Sequence, residues 1–240
     1  MIKNWEIVHR LLKGNDGLEV TVEFEPLENI MLRPDYLSVL FRAKKVVHLG
    51  CTDHLGIIQQ KMESGQYLHN LITFVADKCL GVDINREAIE YIRNQGRVDN
   101  VIYGDITQTG IKEILEDDYD YILLGEILEH IENPVAFLKS IITNYGKQIK
   151  QFVITVPNAF GLPFLSNALN FGQETLNPDH KYWFTPYTIM KVAYQAGLEI
   201  CDLQMCVYEK SKYILENNKE LLKSKPLLLD SIILICNVPS

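Results

Sequence analysis

No Cys-x-x-Cys pair occurs in the chain, and its five cysteines (Cys51, Cys79, Cys201, Cys206, Cys236) are odd in number. That spacing offers neither a disulfide framework nor a zinc site, and it suits reduced thiols in a cytosolic protein. Basic residues are scarce too: 23 Lys and Arg stand against 31 Asp and Glu, for a formal net charge of −8. Unaided binding to nucleic acid or docking on an anionic membrane would need basic surface, so neither partner is expected. The longest apolar run, "LLLDSIILIC", is too short to cross a bilayer and carries Asp230. The first residues, "MIKNWEIVHRLL", lack the unbroken apolar stretch of a secretory signal. Internal repeats, low-complexity tracts and obvious linkers are also missing. A soluble cytoplasmic protein follows, as a monomer or a homodimer, with a small molecule as its partner.

What is present is enough chain for a large buried core, 240 residues with 47% hydrophobic and 22% charged. From Lys45 onward, β-rich runs alternate with helical patterns. "KVVHLG" (45–50), "CLGVDI" (79–84), "NVIYGDI" (100–106), "YDYILLG" (119–125) and "QFVITVP" (151–157) read as strands. Between them, 57–77 is long enough for one helix. The segment 85–96 has Asn85 as its cap, Ala88, Ile89 and Ile92 at helical spacing, and Gly96 as its stop. Helices over 134–146 and 185–197 open on Pro134 and on Thr185-Pro186 and end in glycine. "LEICDLQMCVYE" and "SIILICNV" supply two final strands around a helical insertion near 212–223. Alternation of this kind predicts βαβ units and a parallel sheet.

Ligands of such a sheet bind outside the carboxyl ends of its strands. There the chain places Gly50, Asp83, Asp105 and Gly125. A glycine after the first strand lets backbone approach a ligand, and the helix that follows favours an anionic group. Asp83 can accept both hydroxyls of a ribose, and Asp105 can accept from an adenine amine while Ile106 packs on the ring. The plain alternatives are a tight turn at Gly50 and helix-capping neighbours at the aspartates.

In order along the chain, "VVHLGCTDHLG", "LGVDIN", "NVIYGDI", "YDYILLGEILEHIENP", "FVITVPNAFG" and "HKYWFTPYTIMKVAYQAGLEI" resemble the class I S-adenosylmethionine-dependent methyltransferases, over roughly 45–200. The resemblance implies a Rossmann-like α/β fold: a seven-stranded, mostly parallel sheet with helices on both faces, in one domain over 1–240. Within it, 1–44 is an N-terminal cap, 45–157 the cofactor-binding half, 158–184 a lid inserted after strand five, and 185–240 the rest of the sheet. It also implies S-adenosylmethionine as cofactor. Gly50, Cys51, Thr52 and Asp53 would lie near the methionine moiety, Asp83 and Ile84 at the ribose, Asp105 and Ile106 at the adenine, and Gly125 and Glu126 beside the sulfonium. Two departures stand out: His48 replaces the acidic residue usual before the first glycine, and the later glycines of the loop are absent. NAD is the rival ligand, but "GEILEHIENP" and "WFTPYTIMKVAYQAG" have no role in hydride transfer.

Glu126, Glu129 and His130 follow the fourth strand, and a helical turn there would put all three on one face. The same E-x-x-E-H pattern is similar to that of ubiquinone-pathway O-methyltransferases and small-RNA 3′-terminal 2′-O-methyltransferases. In the second group a downstream histidine completes a metal site, and His180 in "NPDHKYWFTP" is its counterpart. The cluster would hold Mg²⁺ or Mn²⁺. The alternative is structural, with the glutamates capping helices and the histidine packing. Two routes to an activated hydroxyl stay open: a general base, from His180, His130 or Glu129, or a cation that lowers the hydroxyl's pKa. In the lid, Phe160, Phe164, Phe171, Tyr182 and Trp183 either stack on an acceptor or pack over the sheet, and packing is expected for most. The "DHKYWFTP" region resembles glycan-tailoring members, which implies O-methylation of a sugar or sugar nucleotide in polysaccharide biosynthesis. A quinol or catechol acceptor, an amine acceptor, and a non-catalytic binding domain are the other readings.

Overall fold

The computed structural model of the chain describes residues 1–14, 19–96, 98–108 and 110–239. Two helices, α1 (Trp5–Leu12) and α2 (Arg33–Leu40), precede the first strand. Strands and helices then alternate: β1 (Lys45–Leu49), α3 (Leu55–Glu63), α4 (Leu68–Val75), β2 (Lys78–Asp83), α5 (Arg86–Gly96), β3 (Val101–Tyr103), α6 (Lys112–Leu115), β4 (Tyr119–Gly125), α7 (Pro134–Tyr145) and β5 (Ile149–Pro157). The remainder comprises α8 (Leu162–Phe171), α9 (Pro186–Ala196), β6 (Glu199–Cys206), α10 (Lys212–Ser224) and β7 (Ser231–Asn237).

The strands form one seven-stranded sheet in the order β3-β2-β1-β4-β5-β7-β6. β1 to β5 run parallel, while β7 pairs antiparallel with both β5 and β6. The expected mostly parallel, Rossmann-like sheet is therefore present, and the strand order reverses between β1 and β4, where such sheets leave a crevice. Runs such as "YILLG" and "FVITVP" are apolar without alternation because helices cover both faces of the sheet. Ile122, Leu123, Leu124, Val153, Ile154 and Val156 are accordingly buried.

Local chemistry explains several helix ends. Asn85 accepts from Ala88 N at 3.0 Å, and Asn133 accepts from Ala136 N at 3.0 Å. Thr185 and Thr188 form a reciprocal capping box at the start of α9, and Gly197 ends it at φ 101°. The single helix expected over 57–77 is two. The chain reverses after α3 and turns Tyr67 inward, where its hydroxyl donates to Cys51 O at 2.6 Å. That buried bond ties the turn to the loop after β1.

The N-terminal segment is fastened at two places. Lys191 of α9 donates to Leu11 O and Leu12 O at the end of α1, at 3.1 and 2.8 Å. Leu32 bridges Val207 in parallel, with Arg33 N donating to Val207 O at 2.9 Å. Among the described residues no helix is long and apolar enough to cross a membrane.

Candidate active site

A cleft of about 870 Å³ opens at the carboxyl edge of β1, β2 and β4. Gly50, Thr52, Asp53, Asp83, Ile84, Gly125, Glu126, Glu129, His130 and His180 all line it. Cys51, Asp105 and Ile106 do not. Cys51 is buried and its thiol is pushed well up by burial. Asp105 turns outward, where its Oδ1 accepts from Thr107 N and Oγ1 at 2.9 and 2.7 Å, and Ile106 packs into the main core.

At the β1–β2 end, Gly50 has φ 60°, and a side chain there would meet Ile127 at 3.0 Å. Gly50 N donates to Val82 O at 3.0 Å, which draws the loop across the end of β2. Asp83 organises that loop. Its Oδ2 accepts from Thr52 N at 3.0 Å and Thr52 Oγ1 at 2.9 Å, and its Oδ1 accepts from Asn85 N at 2.8 Å. A carboxylate offers about four acceptor sites, so capacity for a ligand hydroxyl remains. Asp53 pairs with Lys61 at 2.6 Å, and Ile84 presents 69% of its surface at the rim.

Under this loop His48 stands in place of the usual acid. It is buried against His69, with their Nδ1 atoms 3.2 Å apart. Burial, and then the neighbouring imidazole, push His48 well below its ordinary pKa; burial pushes His69 down to about 4. Both rings are neutral at pH 7, and one donates to the other. His48 thus lines the cleft, backed by a hydrogen-bonded second imidazole, without a buried charge.

Beyond β4 the chain departs from the expected shared helical face. Glu126 adopts φ 57°, outside the short 3₁₀ turn Leu128–His130. The kink sends its carboxylate to Thr155 Oγ1, at 2.7 Å, and to Arg33 Nη1, at 3.2 Å. Arg33 Nη2 also pairs with Glu209 at 3.3 Å, and Arg33 lies over the Tyr208 ring at 4.9 Å. Local sequence pattern marks none of Arg33, Tyr208 and Glu209 as site residues. They reach the cleft through the Leu32–Val207 bridge, which no local pattern announces.

Glu129, His130 and His180 do come together. One ligand atom from each lies within 4.8 Å of the others, and the two imidazoles meet edge-on at 4.7 Å. Lid contacts build this geometry. Lys181 N donates to Glu129 O at 2.7 Å, and His130 Nδ1 lies 3.2 Å from Asp179 O. Glu129 is fully buried, and neither of its carboxylate oxygens has a protein partner; His180 Nδ1 has none either. Burial, and then the charge of Glu126, raise the Glu129 pKa well above the carboxylate range. Burial, and then His130, lower that of His180. An unpartnered buried carboxylate beside two imidazoles is a donor set that fits a divalent cation. Glu126 stands outside the trio, held by Arg33.

The lid aromatics divide. Phe164 and Trp183 line the cleft as an edge-on pair 4.7 Å apart. Phe160, Phe171 and Tyr182 are 40, 69 and 42% exposed, so the expected packing over the sheet does not occur. α8 has no buried residue: Phe164 lines the cleft, and Leu162 is only partly buried against the main core.

The methyltransferase domain family matches residues 63–143. A ubiquinone biosynthesis O-methyltransferase from Aeromonas salmonicida (strain A449) is 25% identical over 197 residues, 75% of each chain. These similarities, together with the fold, support the class I S-adenosylmethionine-dependent methyltransferase family for this chain. Solved structures share the fold of this methyltransferase at lower identity. The methyltransferase domain of bacterial CtHen1 superimposes with a TM-score of 0.55 at 16% identity, over 85% of this chain and 97% of that one. Magnesium protoporphyrin IX methyltransferase from Synechocystis PCC 6803, solved with bound SAH, gives 0.51 at 15% identity, over 85% and 81%. The domain match and the curated relative indicate a methyltransferase that uses S-adenosylmethionine. The cleft has room for a donor and a small acceptor together. The close backbone at Gly50 and the remaining lone pairs of Asp83 suit the donor.

Proposed function

We propose that this methyltransferase acts on a hydroxyl oxygen of a small acceptor, with a sugar or sugar nucleotide of a surface glycan as the favoured class. In this reading Gly50, Thr52 and Asp53 bound the methionine end, Asp83 and Ile84 meet the ribose, and Gly125 and Glu126 flank the sulfonium. Cys51 contributes backbone only. Asp105 and Ile106, outside the cleft lining, are the weakest members of the assignment, and the exposed Ile84 is better placed to pack on an adenine.

The observation that carries the proposal is the group of unpartnered atoms opposite the donor end, Glu129 Oε1 and Oε2 and His180 Nδ1. S-adenosylmethionine supplies an electrophilic methyl group when bound. In a route without a cation, His180, which has no partner at Nδ1, would take the proton that the acceptor hydroxyl gives up as its oxygen bonds to the methyl carbon and the carbon–sulfur bond breaks, leaving S-adenosylhomocysteine. Phe164 and Trp183 exclude water and orient the acceptor. In the cation route, which the donor set favours, Glu129, His130 and His180 would instead hold a Mg²⁺ or Mn²⁺ ion, which would lower the pKa of a bound hydroxyl. A quinol or catechol acceptor is the second reading, favoured by the name of the Aeromonas relative.

The test is transfer of labelled methyl from S-adenosylmethionine to panels of sugar nucleotides and catechols, with and without EDTA. The expected result is transfer to a sugar nucleotide that falls about tenfold or more with EDTA, and likewise in Glu129→Ala and His180→Ala. Full turnover in EDTA and in both variants refutes the cation, and transfer confined to catechols refutes the sugar.

A further inference from the structure

Two polar side chains reach the acceptor end of the cleft with groups that the protein leaves unsatisfied. Arg33 and Tyr208 are 8 and 7% exposed, and both line the cleft. Arg33 Nε and the Tyr208 hydroxyl have no hydrogen-bond partner. Arg33 Nη1 lies 3.2 Å from Glu126 Oε1 but makes no aligned hydrogen bond there. Stranded buried donors cost stability, so native proteins keep them where something else meets them.

The surrounding charge narrows what that something is. Arg33 is pinned between Glu126 and Glu209, and its guanidinium lies over the Tyr208 ring. Lys210 at the rim has its ammonium 5.3 Å from the same ring. Two cations face two carboxylates, so the wall carries no excess positive charge to hold a phosphate or a carboxylate. It offers N–H and O–H donors beside carboxylate acceptors, which complements a neutral group that donates and accepts in turn. Adjacent hydroxyls of a polyol have that character at several positions, whereas a catechol offers only its two ring hydroxyls, one of them the methyl acceptor.

We propose that Arg33, Tyr208 and Glu209 form the acceptor-recognition subsite, binding the hydroxyls beside the one that is methylated and so selecting a polyhydroxylated acceptor. This rests on the reading of the cleft as an O-methyltransferase site. It assigns to the N-terminal segment a function local sequence does not suggest: through the Leu32–Val207 bridge it delivers one wall of the acceptor pocket.

The experiment titrates a panel of nucleoside-diphosphate hexoses, and separately catechol, into protein loaded with S-adenosylhomocysteine, by calorimetry. The expected result is that a hexose binds and that Tyr208→Phe weakens it about tenfold, the loss typical of a buried polar contact. Affinity for S-adenosylhomocysteine should not change. The melting temperature should hold or rise, since the hydroxyl removed had no partner. Arg33→Lys should act in the same direction. Unchanged hexose affinity in Tyr208→Phe overturns the subsite. So does a parallel loss of S-adenosylhomocysteine affinity and melting temperature, which marks a structural role. Catechol binding with no hexose binding overturns it as well. A hexose that binds through Tyr208 but receives no labelled methyl leaves the subsite standing and refutes the hydroxyl as methyl acceptor.

Discussion

At Gly50 two demands coincide, a left-handed backbone and a neighbour in contact range. Ile127 would sit 3.0 Å from a Cβ at that position. An L-residue held at such a φ costs about 1–2 kcal/mol, and the contact with Ile127 adds to it. Gly50→Ala is therefore expected to lower unfolding free energy by at least about 1 kcal/mol in urea titration and to weaken S-adenosylmethionine binding by more, because relief of strain moves the loop that Asp83 organises. Equal affinity in the variant would mean the loop does not shape the donor site. Glu126 shows the opposite case, a left-handed residue that is not glycine. Its conformation is held by partners on two other elements, Thr155 and Arg33. Strain that needs such distant support marks a working position more often than a passive one.

Among the elements, those whose ends are set by local chemistry could be read directly from the sequence. Thr185 followed by Pro186, with Gly197 closing the pattern, marked α9, and the helix runs as expected. Thr185→Ala should cost about 1 kcal/mol of unfolding free energy by loss of the cap, and the measurement is the midpoint of urea unfolding. The apolar runs of β1, β2, β4 and β5 were equally readable because each is buried on both sides. What local pattern did not carry was set by distant contact. The split between α3 and α4 depends on Tyr67 turning in to Cys51 O, and the kink at Glu126 depends on Arg33, far away in sequence. The trio Glu129, His130 and His180 sits between these cases. Its residue types were visible, yet it takes long-range contacts such as Lys181–Glu129 and His130–Asp179 to bring His180 to the rim.

For the molecule as a whole, a ligand that binds the folded chain alone must raise its melting temperature. S-adenosylmethionine at about 100 times its Kd contributes about 2.7 kcal/mol. In a domain of 150–250 residues that corresponds to a rise of about 5–10 °C. Differential scanning calorimetry checks it, and no rise at saturating ligand would contradict the donor site. The chain order of the sheet has a further consequence. β7 is the last strand in sequence and yet lies inside the sheet, hydrogen-bonded to β5 on one side and β6 on the other. While a ribosome is still translating residues 231–237, β5 has an open edge and β6 lacks its strand partner. The nascent enzyme thus stays incomplete, and exposed to chaperones, until that segment has cleared the exit tunnel.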